Sequence, residues 1–412
     1  MLNFYQSRLS TADPCYNLFA MQYFFVLGNN PTLSIAEITA KFSCWSKIIN
    51  SQLLIIDSQE NIQAIEAIEK LGGTIKIGVV NSQIDKKDYG KILKNILQML
   101  VKEKISGKFK FGVSCYGVKT IKGKVIGLDI KRYLKNKNIS SRWVDSREAT
   151  LSSVVVEQNK LIDRGMEIVL IGIDNKILIG QTLAVQPFKK LSFRDYGRPA
   201  RDDRSGMLPP KLAQIMLNLS SANLEKTILD PFCGSGTILT EAMLMGYKNL
   251  IGADISLKAI ENTKENIKWI KNNHQLQTAN CKLFNVDAMQ ISKYIQPNSV
   301  DAIITEPYLG PQQSRFDISK AVKEIELLYS KSLMEFKKIL KQKAILVMVW
   351  PLFYEKQKNI FINPNLIGFK IINPISENLK KNIFIKLTNR DTIIYGREQQ
   401  KIWREIVVLS KE

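Results

Sequence analysis

The chain has 412 residues, 45% hydrophobic and 24% charged, and its 59 Lys and Arg against 38 Asp and Glu give a net charge of +21. That length allows two or three domains with cores of their own, and that charge makes a polyanion the natural partner, because each neutralised phosphate releases counterions. Five scattered cysteines without a Cys-x-x-Cys pair and a single histidine, His274, leave too few ligands for a zinc site and no Ser-His or Cys-His relay. No metal is therefore expected, and the chemistry falls to carboxylates, backbone groups and a bound cofactor.

At the start, "LFAMQYFFVL" (18–27) lacks the basic flank of a signal segment and reads as a first β-strand. No apolar run reaches the ~18 residues of a membrane helix, and free thiols suit a reducing cytoplasm. "TLSIAEITAKF" follows as a helix, with Ile35, Ile38 and Phe42 on one face. "SQLLIID" and "TIKIGVV" read as strands around a helix at 60–70. "KFKFGVSCYG" alternates like a strand, 125–137 places Ile126, Ile130 and Tyr133 on one helical face, and "ATLSSVVVEQNKL" and "EIVLIGID" are strand-like runs. Residues 1–185 are thus expected to be α+β, in two small units of 1–100 and 101–185.

Charge concentrates in the second unit, where Lys104 to Glu148 holds twelve Lys and Arg against three Asp and Glu. Lys131, Lys135, Arg142 and Arg147 are candidate contacts to a nucleic-acid backbone. The polar stretch 186–205, with two prolines and one glycine, reads as an ordered linker. Its Arg198 and Arg201 either clamp RNA or pair with Asp195, Asp202 and Asp203. His274, in "KNNHQLQ", reads as a solvated loop residue.

From residue 206 to 412 the pattern alternates. "TILD", "LIGAD", "CKLFNVDA", "VDAIIT" and "AILVMVW" are strand candidates, and helices fall near 236–246, 257–273 and 318–340. Ser256 is placed to cap the second helix. Such alternation implies a parallel, doubly wound sheet, whose ligands bind at the carboxyl ends of the strands. The tail at 395–409 reads as a closing hairpin, and no role in RNA binding is assigned to its arginines.

Four strand ends carry an acid. The first ends Asp230-Pro231-Phe232-Cys233-Gly234-Ser235-Gly236-Thr237, which is neither G-x-G-x-x-G nor a P-loop. Its glycines allow close backbone approach, and the following helix offers free N–H groups to an anion. Asp230 would repel pyrophosphate and suits an ammonium. Asp254, with Ile255 beside it, stands where an acid holds both ribose hydroxyls. Asp287, followed by Ala288, can accept from an adenine amine. The fourth strand ends Glu306-Pro307-Tyr308. A ligand with ammonium, diol, adenine and carboxylate groups matches the first three ends, and S-adenosylmethionine has all of them.

"DPFCGSGT" with an acidic-Pro-Tyr fourth motif resembles the class I amino-methyltransferases that modify exocyclic base amines. The chain is more specifically similar to the THUMP-containing tRNA guanosine-10 N2-methyltransferases of archaea and their eukaryotic relatives, through "RDYGRPARDDRSGMLPPKLAQIMLNLS" (194–220), "KFKFGVSCYG" and "LSSVVVEQNKL". The resemblance covers roughly 20–410. A cytoplasmic monomer that binds no membrane is expected, and the resemblance implies a ferredoxin-like unit, a THUMP domain that grips the tRNA acceptor end, a linker and a Rossmann-like catalytic domain. It leaves open a small activator subunit, and whether one or two methyl groups are added.

In such an enzyme Glu306 and the Pro307 carbonyl would accept the two amine N–H groups, and Tyr308 would stack on the base. The fourth motif departs from the family's Asp-Pro-Pro-Tyr, with Glu306 in place of the acid and one proline only. Two alternatives stay open: another guanine or adenine amine in tRNA, rRNA or DNA, and an RNA-binding protein without turnover.

Overall fold

A computed structural model describes residues 20–42, 44–101, 107–201, 207–274, 279–311, 316–355, 358–396, 400 and 402–412. The expected N-terminal unit therefore loses 1–19 to the undescribed part, and Asp202 and Asp203 also lie outside the described residues.

The first half runs β1 (Met21–Leu27), α1 (Pro31–Lys41), β2 (Trp45–Asn50), β3 (Leu53–Ser58), α2 (Ala64–Glu69), β4 (Thr74–Asp85), α3 (Tyr89–Val101), β5 (Phe109–Tyr116), α4 (Gly123–Asn136), β6 (Ser141–Val144), α5 (Ser153–Gln158), β7 (Gly165–Ile173) and β8 (Lys176–Val185). Its eight strands form one sheet in the order β2-β3-β1-β4-β8-β7-β5-β6. The period of two is clear in β1, where Tyr23, Phe25 and Leu27 enter one core and Phe24 and Val26 another on the opposite face. The long β4 joins the two expected units by pairing with β1 on one side and β8 on the other.

Two expectations fail here. The break at residue 100 falls inside a packed unit, because α3 gives Ile92, Ile96 and Leu100 to the same core as Phe109, Phe111, Ile126 and Ile130. The change of core lies instead within β4, whose Ile77 joins Tyr23 and Phe25 and whose Ile84 packs against the α3 core. The run "SSVVVEQ" is helical rather than extended, because the Ser152 hydroxyl accepts from the Val155 N–H at 3.3 Å and starts α5. The valines are β-branched, but a cap and burial of Val156 outweigh that weak propensity.

The linker holds α6 (Phe188–Tyr196). The second half then runs α7 (Pro210–Leu219), β9 (Thr227–Asp230), α8 (Thr237–Met245), β10 (Asn249–Asp254), α9 (Leu257–His274), β11 (Asn280–Asn285), a 3-10 turn (Ala288–Lys293), β12 (Val300–Thr305), α10 (Ile318–Ile339), β13 (Leu340–Glu355), β14 (Lys358–Phe361), β15 (Phe369–Ile371), α11 (Glu377–Lys380), β16 (Ile393–Tyr395) and β17 (Ile402–Lys411). Its sheet is ordered β11-β10-β9-β12-β13-β17-β15, with β14 on β13 and β16 on β17. The first five strands are parallel, as expected, and β17 returns antiparallel between β13 and β15. Strand order reverses at β9, which makes the carboxyl end of β9 the switch point. His274 ends α9 instead of lying in a loop. No helix among the described residues is long and apolar enough to cross a membrane.

The two halves share a core in which Leu33, Ile35 and Ile38 of α1 join Leu212 and Met216 of α7. At its centre the fully buried Glu37 carboxylate accepts from the Gly72 and Gly73 N–H groups and from Asn218, each at 2.8 Å. Burial still pushes Glu37 up to about 7.

The first sheet encloses a second polar cluster. Lys76 donates to Glu167 and to the Leu151 carbonyl, both at 2.6 Å, while Ser114 and Thr182 donate to the same carboxylate. Replacing the ammonium strands a buried anion with two hydroxyls. Lys76→Met should therefore cost about 3–5 kcal/mol, read from urea unfolding, and an unchanged midpoint would show that the pair does not hold the α5 segment.

Candidate active site

The carboxyl ends of β9, β10, β11 and β12 open on one cavity of about 890 Å³, lined by Asp230, Asp254, Asp287 and Glu306. Pro231, Cys233, Gly234, Ser235, Thr237, Ile255, Ala288, Pro307 and Tyr308 also line it. Its volume lies in the range of sites for nucleotide-sized ligands. Four acids separated by up to 76 positions in the chain meet because parallel strands end on one edge.

Backbone geometry explains the glycine loop. Gly234 has φ +52° and Gly236 φ +83°, in the left-handed region that glycine enters without strain. A Cβ at Gly234 would meet nothing within 4 Å, whereas at Gly236 it would stand 2.9 Å from Thr263. Gly236 itself does not line the cavity; it lets the chain turn into α8. The loop is pinned from behind, because Thr263 donates to the Gly234 carbonyl at 2.8 Å and Asn266 to the Ser235 carbonyl at 2.8 Å.

Each acid is held differently. Asp230 is 2% exposed and accepts from the Thr305 hydroxyl at 2.8 Å and the Phe232 N–H at 3.2 Å. Burial raises it to about 7, those two hydrogen bonds pull it down, and Asp254 and Glu306 push it further up. Asp254 accepts from the Gly234 and Ser256 N–H groups, both at 2.9 Å, which turns it across the loop mouth. Ser256 then caps α9 through the Ala259 N–H, as its position suggested. Asp287 caps the 3-10 turn through the Met289 N–H at 2.8 Å and keeps its other oxygen for the cavity.

Glu306 lies against an arginine of the closing hairpin that no motif had singled out. Arg404 of β17 donates through Nε at 3.0 and 3.2 Å and through Nη2 at 2.9 Å, and both side chains are about nine-tenths buried. Burial raises the Glu306 carboxyl and Arg404 opposes that rise. Tyr308 is 55% exposed at the mouth, and its carbonyl accepts from the buried Tyr329 hydroxyl at 3.0 Å, which fixes the turn.

The basic candidates divide. Lys131, Lys135, Arg142 and Arg147 are exposed, the first two on α4 and Arg142 on β6, the edge strand. Arg201 is exposed and lines the cavity, with its guanidinium 5.3 Å from the Tyr196 ring. Arg198 does not fit an RNA clamp. It is 6% exposed, with Nη1 on the Thr237 hydroxyl at 2.6 Å and Nε on the Arg194 carbonyl, so its charge backs the start of α8. Arg194 similarly pairs with the buried Glu241 of α8. The linker is a brace on the glycine loop. Phe232, Asn262, Met289 and Leu328 also line the cavity and were not expected. Leu328 lies in α10, where its helical spacing gave no sign of a ligand.

Residues 198–355 match the family described as "RMKL-like, methyltransferase domain", and residues 62–265 match one described as "DNA methylase". In structure the chain is similar to TrmN from Thermus thermophilus, with a TM-score of 0.51 at 15% identity over 95% of this chain and 100% of that one. The second half has a Rossmann-like methyltransferase fold. In sequence, 176 residues are 35% identical to a tRNA (guanine(10)-N2)-dimethyltransferase of Methanothermobacter thermautotrophicus, over 40% of this chain and 48% of that protein. The like-named protein of Pyrococcus abyssi is 26% identical over 295 residues, 70% of this chain and 78% of its own length. The match thus spans about half of the first relative.

The cavity generates a stability prediction of its own. Free aspartate titrates near 3.8, and folded Asp230 holds its proton to about 7. Between those values the native state binds a proton the unfolded chain has released, so stability falls as pH rises. Asp230→Asn abolishes that loss. From pH 5 to pH 8 the variant should gain about 2–3 kcal/mol on the wild type, measured by urea unfolding, whereas a constant difference would contradict the burial argument.

Proposed function

We propose that this chain transfers methyl groups from S-adenosylmethionine to the exocyclic N2 amine of guanine in tRNA, at guanosine 10. The observation that carries the reading is the meeting of four strand-end acids and a glycine loop around one cavity. The names of the M. thermautotrophicus and P. abyssi relatives support guanosine 10, and support two successive transfers to the same nitrogen.

The donor set fits the cofactor. Asp230 is buried without a cationic partner among its described hydrogen bonds, so an ammonium there would relieve the burial that raises it. Asp254 faces the ribose diol and Asp287 the adenine amine. The start of α8, backed by Arg198 through Thr237, faces the carboxylate. When bound, S-adenosylmethionine supplies a methyl group activated by a positive sulfur.

The protein's own work is alignment. The N2 lone pair is delocalised into the ring, which makes this amine a weak nucleophile. Glu306 accepts one N–H and the Pro307 carbonyl the other, which aims the remaining electron density along the cavity. As the nitrogen–carbon bond forms and the carbon–sulfur bond breaks, Glu306 takes the N2 proton. Tyr308, exposed at the mouth, stacks on the base, a contact worth ~1–3 kcal/mol. A base within folded tRNA is flipped out at a cost of a few kcal/mol.

Binding along the acceptor side offsets that cost. We assign it to the first half, with a ferredoxin-like unit to about residue 87 and a THUMP domain from there to 185, whose exposed Lys131, Lys135, Arg142 and Arg147 face the phosphates. Residues 186–205 are the linker, and Arg201 stands between it and the cavity.

The test is transfer of labelled methyl groups to bulk tRNA. Glu306→Ala should keep cofactor affinity within a few-fold by calorimetry while turnover drops by at least ~10²-fold. Near-normal turnover would remove Glu306 from the reaction.

A further inference from the structure

Arg404 sits near the start of the returning strand, as its third residue. It pairs with Pro351 of β13 on one side and Tyr395 of β16 on the other, so its backbone is fixed from both directions. The next residue, Glu405, is fully buried and bound by Arg390 and Thr392. Successive side chains of a strand point to opposite faces. Arg404 therefore aims at Glu306 by the register of the sheet and not by chance of a surface rotamer. Glu306 lines the cavity, and Arg404 lies behind it, outside the lining residues.

We propose that Arg404 is a positioning residue, whose guanidinium keeps the Glu306 carboxylate ionised and turned toward the target amine. The proposal rests on Glu306 being the group that receives that amine. A planar fork bonded to both oxygens fixes the plane of the carboxylate, which a point charge cannot do. Oε1 accepts from both Nε and Nη2, whereas Oε2 accepts from Nε alone and retains a lone pair for the amine.

The surroundings make the arginine necessary. Glu306 faces Asp230 at the end of β9, which repels its charge, and Tyr329 of α10, whose hydroxyl is committed to the Tyr308 carbonyl. Tyr395 of β16 faces Arg404. Arg404 is the cation that opposes burial of Glu306. Without it nothing would oppose that burial, and Glu306 would keep its proton to higher pH and offer the amine an O–H donor where an acceptor is needed.

Arg404→Gln and Arg404→Lys in the full chain test this by the pH profile of methyl transfer to tRNA. Arg404→Gln should lower kcat by about 10–100-fold with KM for S-adenosylmethionine within about threefold, and should move the acidic limb of kcat upward by at least about one pH unit. Arg404→Lys should leave the limb near its wild-type position and lower kcat by at least about threefold, because it restores the charge without the fork. A purely structural arginine would not move the limb, so a wild-type profile and rate in Arg404→Gln overturn the proposal. Should Arg404→Gln fail to fold, wild-type kcat in Arg404→Lys overturns it.

If the wild type transfers no methyl to tRNA, the functional reading fails, and carbon NMR titration of labelled glutamate decides the rest. With the Glu306 signal assigned through Glu306→Gln, its titration should lie at higher pH in Arg404→Gln than in wild type, or higher than in Arg404→Lys should Arg404→Gln not fold. Coincident curves overturn the role of Arg404.

Discussion

Gathering four carboxylates around one cavity, two of them largely buried, is the constraint on which the second half of the molecule is built. A carboxylate drawn out of water must find a donor or take up a proton. Asp254 and Asp287 solve this with backbone N–H groups of the turns that follow their strands. Glu306 solves it with Arg404. Asp230 has only a hydroxyl and one N–H, and its carboxyl is pushed up to about 7. In the proposed function, the most buried of the four, with no basic side chain among its described hydrogen-bond donors, is the one offered to a cationic ligand.

The rest of the fold serves that edge. Parallel strands bring four chain-distant acids to one side, and the switch at β9 opens space between them. The linker, through Arg194 on Glu241 and Arg198 on Thr237, braces α8 against the glycine loop. The first half is not loosely tethered, because α1 and α7 share a core and Glu37 bridges Gly72, Gly73 and Asn218. Basic surface in that half therefore keeps a defined placement relative to the cavity.

Much of the site was legible in the sequence because its parts are local. "TILDPFCGSGT", "LIGAD" and "VDAIITEPY" each hold a strand and the acid that ends it within a few positions, and the rule for strand ends supplies the convergence. What was missed depends on long-range pairing. Arg404 lies 98 positions from Glu306, and only the insertion of β17 between β13 and β15 brings them together. Charge alone said nothing about burial, so the sequence left open whether Arg198 clamps RNA or pairs with an acid, and the fold turns it inward, with Nη2 3.9 Å from Asp195. The boundary at residue 100 failed because α3 is a mobile assignment in sequence: its apolar face fits either neighbouring core, and packing with α4 and β5 decides.

The central claim is that this cavity presents a guanine amine to a methyl donor. It is tested most directly by incubating the protein with S-adenosylmethionine and unmodified tRNA, then mapping the methylated nucleoside by mass spectrometry of nuclease fragments. The account predicts N2-methylated and N2-dimethylated guanosine at position 10. Methylation confined to an adenine, or no methylation by a protein that binds the cofactor, would contradict it.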